Sequence, residues 1–357
     1  NTIGVSQALM FSVTDNGPAD IYIERNEISN ILGDDAEGLY TRYDDGARGD
    51  MAQATYYVRD NDWIGCSRRA IKFDASNAII ENNYIESLAQ FEGDHNGASK
   101  QAALVQAFSI QAGIPVQNIQ VRDNEIRVLG EAANSLFATN DARDVTVEDN
   151  VLWSEILDVR KTVGFSNPTG QQDELYDGDV SNLVFRNNSL HNTLLNVADK
   201  YYVLPGLEPA VIEGNTQSFS GSQALGAYRG AININGSSLS GSMRGEDEFR
   251  IRDHTITYDL DTVASGLWNG VLSSNGTEPV NVVLENVDIT YTGSGTVGAV
   301  FGGVRVPSVV DYDSTNSIVD CDVTGFTGAG AIEFNGADTS VVITNSFGDG
   351  GTPLSVL

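Results

Sequence analysis

One eight-residue frame recurs from end to end of the chain: apolar, any, apolar, two polar residues, Asn, any, apolar. It is clearest from Ile119 to Ile126 around Asn124. Earlier copies run from Ile21 to Ile28 around Asn26, Tyr56 to Trp63 around Asn61 and Ala78 to Ile85 around Asn83. Later ones centre on Asn150, Asn188 and, more weakly, Asn215, after which the frame continues with His254, Val287, Cys321 and Ser346 in the Asn place. Apolar residues alternating at period two before a turn residue mark a short strand with one buried face, and no copy is long enough to be a helix.

Eleven copies separated by 22 to 41 residues mean that each unit buries its face against its neighbours, with loops of unequal size between strands. A second short strand precedes several copies, as in Gly38 to Arg42, Ala70 to Asp74, Ala107 to Gln111, Ala231 to Asn235 and Ala331 to Asn335. Two or three strands per coil predict an all-β chain, a parallel β-helix of about eleven coils, right-handed by the rule for parallel crossovers. A globular chain of 357 residues usually divides, whereas a solenoid grows along one axis without enlarging its core, so residues 1–357 read as one domain. The Asn position is expected to adopt left-handed dihedrals in a tight turn. Its amide is expected to bond the equivalent amide one coil away, at about 4.8 Å. His254 and Cys321 occupy this ladder, which predicts structural roles for both.

The repeats resemble the right-handed parallel β-helix proteins of the pectate-lyase-like superfamily over nearly the whole chain. That resemblance implies a fold that hosts unrelated activities. Hydrolases of the polygalacturonase kind carry Gly-His-Gly, which is absent here, and Arg-Ile-Lys, whose nearest counterpart, Arg68 to Lys72, has different spacing. The lyases imply a basic residue that takes a proton beside a uronate carboxylate, with calcium or another base neutralising that carboxylate. Lys72, Arg42 and Arg69 are the candidates.

Alternation places Leu39, Ile71, Phe73, Phe108 and Ile110 inward and Tyr40, Arg42, Lys72, Asp74, Ser109 and Gln111 outward on three successive coils. A file with an aromatic ring, cations and amide or carboxylate groups suits a sugar chain, and equally an ordinary polar face. Lys72 is the preferred base: Arg42 and Arg69 would lower its pKa, and Asp74 would oppose them. Long loops carry Asp44, Asp45, Asp94 and His95. His95 adds a possible sugar contact, and the three aspartates are the candidates for calcium, although a chain with 49 acids carries acidic loops for solvation alone.

The formal charge of −29, with pI near 4.1 and only four lysines, argues against nucleic acid as a partner and resembles secreted proteins of halophiles. Gly295 to Val310 is interrupted by Arg305 and too short for a membrane span of about 20 residues. Cys66 and Cys321 lie about nine coils apart, on the order of 40 Å, too far for a disulfide. Neither Asn1 to Gln7 nor Gly348 to Leu357 has helical periodicity for a cap. This predicts a fragment of a larger chain, further solenoid domains or a homo-oligomer.

Two functions follow. One is an extracellular polysaccharide-binding or polysaccharide-cleaving protein whose partner is a polysaccharide or cell-surface glycan. The other is a non-enzymatic component of a cell or virion surface, an adhesin, stalk or spike. Incomplete motifs and absent caps favour the second, and the outward file favours the first.

Charge this dense predicts a fold that loosens when self-repulsion is unscreened. The unfolding midpoint is expected to fall as salt is lowered from molar concentration to about 0.05 M; a constant midpoint would contradict this.

Overall fold

The computed structural model describes residues 7–13, 19–32, 36–43, 54–89, 103–108, 116–130, 135–140, 142–157, 162–165, 181–198, 211–222, 231–235, 248–262, 272–273, 281–293, 304–306, 314–325, 331–334 and 339–356. Apart from one turn of 3-10 helix at Asp349–Gly351, the regular elements are strands, and the sheets they form are parallel. The chain is a parallel β-helix. It forms two compact units, Asn1–Ile156 with Arg160–Val184, and Leu157–Val159 with Phe185–Leu357.

In the first unit the strands before the ladder stack as Ala19–Glu24, Ala54–Arg59, Ala78–Glu81, Val116–Arg122 and Ala142–Glu148. Those after it stack as Glu27–Ser29, Asp62–Cys66, Tyr84–Ser87, Glu125–Val128 and Val151–Ser154. A separate sheet stacks Gln7–Val13, Glu37–Tyr43, Arg69–Asp74, Ala103–Phe108, Ser135–Asn140 and Thr162–Phe165. In the second unit Glu248–Thr262 and Asn281–Tyr291 each run straight through the ladder corner. Leu194–Ala198, Ile232–Asn235 and Leu272–Ser273 form its other sheet.

The core follows from alternation at constant register. Leu39, Ile71, Val105, Phe137 and Val163 occupy one buried file, and Thr41, Phe73, Ala107 and Thr139 the next. Tyr56 closes onto Phe73 edge-on, with ring centroids 5.3 Å apart. Gly38 permits the closest approach: a Cβ there would lie 2.5 Å from the Ala70 carbonyl oxygen and 2.8 Å from the ring of Trp63.

Each corner is held by side-chain amides. The Asn61 backbone N–H and Nδ2 both donate to Asn83 Oδ1, at 3.1 and 2.9 Å, while Nδ2 also reaches back to the Ile23 carbonyl at 2.8 Å. Asn83 makes the same bonds to Asn124 and Val58, and Asn124 to Asn150 and Ile80. Asn26 bonds Asn61 at the first corner, and Asn188 repeats the pattern with Asn215 in the second unit. With other residues the ladder persists as a backbone contact, the Cys321 N–H donating to Ser346 Oγ at 3.0 Å.

The left-handed residue, however, is not the Asn. It is the residue before it: Arg25, Asp60, Asn82, Asp123, Asp149, Asn187, Gly214, Asp253, Asn286, Asp320 and Asn345, with φ between 47° and 65°. Nine of these eleven are Asp or Asn, whose short polar side chains tolerate that conformation. The turn and the ladder are therefore separate tasks of adjacent residues.

A further file was not anticipated. Glu24, Arg59, Glu81, Arg122 and Glu148 stand in register on successive strands, alternating in sign. Glu81 pairs with both neighbours, accepting Arg122 Nε at 2.6 Å on one oxygen and standing 2.6 Å from Arg59 Nε in an ion pair through the other. Arg252 pairs with Glu213 in the second unit and stands in register with Glu285. At the last corner the turn from Gly348 to Thr352 brings the Leu354 N–H to the Ser346 carbonyl at 2.9 Å, the bond that a further coil makes elsewhere. Among the described residues no helix is long and apolar enough to cross a membrane.

Asn124 serves two coils and is buried, whereas Asn26 is exposed. Asn124→Ala is expected to cost about 3 kcal/mol, since it strands several buried polar groups, and Asn26→Ala less than about 1 kcal/mol. Denaturant titration in high salt checks this; equal costs would remove the amide chain as the basis of the corners.

Candidate functional site

The sheet that contains Arg69–Asp74 gathers the basic residues singled out from the sequence. Its register sets Tyr40, Lys72 and Gln106 side by side, facing away from Leu39, Ile71 and Val105. Lys72 Nζ lies 4.2 Å from the centroid of the Tyr40 ring and 2.7 Å from Glu37 Oε1. The same oxygen accepts Arg69 Nη1 at 2.9 Å, and Arg69 Nε donates to Gln106 Oε1 at 2.6 Å. Lys72, Arg69 and Tyr40 thus come together, with Glu37 and Gln106 as members that the sequence reading missed.

The third strand explains one miss. It spans Ala103–Phe108, four residues earlier than expected, so Gln106 rather than Ser109 stands beside Lys72, and Val105 and Ala107 fill the inward files assigned to Phe108 and Ile110. The signal was present in the alternation Val105-Gln106-Ala107. Glu37 could have been found as a charged residue two positions before the buried Leu39.

The face is also less open than an outward polar file implies. Tyr40 and Asp74 are buried, and Asp74 receives the Thr41 hydroxyl oxygen as acceptor for its backbone N–H at 3.2 Å. Arg42 is in register with Asp74, which defines its backbone position alone. Ser109, Gln111, His95, Asp44, Asp45 and Asp94 lie outside the described residues. Among the described residues no group of three or more His, Cys, Asp or Glu is placed to hold a metal ion.

The pKa of Lys72 is lowered from the ordinary lysine value: burial is the largest cause, Glu37 opposes it through a hydrogen bond and its charge, and Arg69 and Arg68 add smaller lowering effects. The opposing carboxylate is therefore Glu37, not Asp74, and the assisting cations are Arg69 and Arg68. Burial also lowers Arg69, again against Glu37. The carboxylate at 2.7 Å offsets part of the lowering that burial imposes on this ammonium.

Other chemically able groups prove to be structural. Cys66 and Cys321 are both free and buried, and burial pushes their thiols up to about 12 and about 11, away from the nucleophilic thiolate. His191 Nδ1 meets Ser218 Oγ at 2.9 Å, but Asn192 Nδ2 is 3.3 Å from Nε2. The amide donates there, so Nδ1 carries the proton toward the serine, the reverse of what activating a nucleophile requires. No family model matches the chain, and neither curated proteins nor solved structures give a match.

His254 is buried at its corner and donates from Nε2 to Gln217 Oε1 at 2.9 Å, leaving Nδ1 without a partner among the described residues. Burial lowers its pKa from 6.5 to about 3. The neutral ring belongs to the folded state, so its contribution is whole above pH 6.5 and is lost as pH falls from there toward about 3. Between pH 6 and 5 the native chain should lose roughly 1.4 kcal/mol relative to His254→Asn, which keeps an amide at the corner. A stability difference independent of pH would show that the imidazole is not held neutral.

Proposed function

We propose that the chain is an extracellular polysaccharide-binding β-helix of the pectate-lyase-like kind, displayed at a cell or virion surface of a salt-loving source. The observation that carries the reading is the grouping of Lys72 and Arg69 with the Tyr40 ring and the Gln106 amide on three adjacent strands. Cations serve sugar carboxylates and an amide serves hydroxyls, while the buried Tyr40 ring holds Lys72 beside them.

The formal charge of −29 repels a polyanion at low salt, and at molar salt the screening length falls to about 3 Å, so short contacts decide. High salt and an acidic glycan are thus compatible. Cleavage would need the amine form of Lys72, which burial favours and the Glu37 contact opposes.

A second reading, a rigid surface spacer, is favoured by the amide ladder and the alternating charges, neither of which needs a ligand. The deciding experiment is affinity electrophoresis on acidic and neutral polysaccharides in about 2 M salt, with and without a chelator, for the native chain, Lys72→Ala and Arg42→Ala. Retardation by a uronate polymer, weakened about tenfold or more in Lys72→Ala, is expected. Unsaturated products absorbing at about 235 nm, lost in Lys72→Ala while binding persists, would establish a lyase instead. If no polysaccharide retards the native chain, the spacer reading stands.

A further inference from the structure

We infer that Asn187 is an N-glycosylation site, an acceptor whose side-chain amide takes a glycan from a lipid-linked oligosaccharide donor. Asn187-Asn188-Ser189 has the order Asn, any residue but proline, Ser that such acceptors require. The inference rests on the extracellular placement proposed above, because the transfer is made on exported chains; the geometry of the acceptor stands apart from that reading.

The corner divides the three residues by task. Asn188 is buried in the ladder, its Nδ2 donating to Asn215 Oδ1 at 3.1 Å, while Asn187 and Ser189 on either side of it are exposed. Asn187 is a left-handed turn residue, with φ 55°, and turn chemistry alone would account for an asparagine there. Its side chain nevertheless differs from others in the same file. Asn286 Nδ2 and Asn345 Nδ2 are tied to the aspartates one coil earlier, Asp253 and Asp320, each at 2.6 Å, and neither asparagine opens the motif. Asn187 makes no side-chain hydrogen bond among the described residues. Its amide lies over Gly214, where a Cβ would collide with Asn187 Oδ1. The other residues of this file make the left-handed turn with a side chain, so the turn does not demand glycine; what Gly214 provides is room beside the acceptor.

Transfer joins Asn187 Nδ2 to the anomeric carbon of the donor sugar. The bond from that carbon to the donor's phosphate breaks, the lipid phosphate leaves with the bonding electrons, and Nδ2 gives up one proton. The Asn187 backbone N–H, which donates to the Glu213 carbonyl at 3.0 Å, is untouched, so the corner keeps its register with the sugar attached.

The test is to secrete the chain, behind a signal peptide of the host, from cells that N-glycosylate their exported proteins in molar salt and from the same cells lacking the transferase. The host's own glycoproteins report that the transferase is active. Tandem mass spectrometry of the peptide that contains Asn187 is expected to show a glycan from the first cells and none from the second. Asn187→Gln and Ser189→Ala are expected to lose it, and Ser189→Thr to keep it. Ser189 is exposed, so its variants carry the test if Asn187→Gln does not fold. Asn235 and Asn275 open the chain's two other motifs of this order, and their peptides are read separately. An unmodified Asn187 in the secreted chain overturns the inference, whatever Asn235 and Asn275 carry, and leaves the polysaccharide reading to the electrophoresis above. A modification of Asn187 that persists in Ser189→Ala, or in cells lacking the transferase, overturns it as well.

Discussion

The structure depends on a carboxamide that does the work of backbone at the corners from Asn26 to Asn150 and again at Asn188 and Asn215. An Asn donates forward to the amide of the next coil and backward to a carbonyl of the preceding coil, as Asn83 does toward Asn124 and Val58. Because the amides of neighbouring coils must meet, one file of side chains locks the register of every strand beside it. The alternation of apolar residues then puts Ile71 over Leu39 and under Val105 without a separate rule for each pair. The left-handed residue before it, mostly Asp or Asn, turns the chain from one strand of a coil to the next, while the strands that pair in parallel are joined by the rest of the coil.

Locked register also organises charge. Residues at one frame position stack over many coils, which would pile like charges together if the sequence did not alternate them. Glu24, Arg59, Glu81, Arg122 and Glu148 alternate, so a scarce set of arginines is set between acids that would otherwise repel. Each half-buried pair contributes modestly alone, but the same geometry avoids a real penalty. The other sheet uses its cations differently. Arg69 and Lys72 converge on the single buried acid Glu37, and the Tyr40 ring and Gln106 amide complete a compact polar group on an otherwise apolar strand.

The recurrence of Asn at one place in an alternating frame established the all-β class, the parallel stacking and the burial of Ile23, Val58, Ile80, Val121 and Val147, because periodicity and turn chemistry are local properties of a chain. It also identified His254 and Cys321 as corner residues. Lys72, Arg69 and Tyr40 could be placed near one another for the same reason: alternation and coil spacing are enough when strand limits are right. Where they were wrong, at Ala103–Phe108, the partner was wrong as well, and Ser109 stood in for Gln106.

What the tertiary structure alone decided is which charges meet. Glu37 and Lys72 are 35 residues apart in sequence, and their contact depends on one strand lying against the next and on burial that draws the ammonium toward the nearest acid. That contact sets a carboxylate against the burial that lowers the pKa of Lys72, a balance of desolvation and neighbouring charge that alternation cannot report. The amide ladder could be read from the sequence because its residue repeats; the Glu37 cluster could not, because it occurs once.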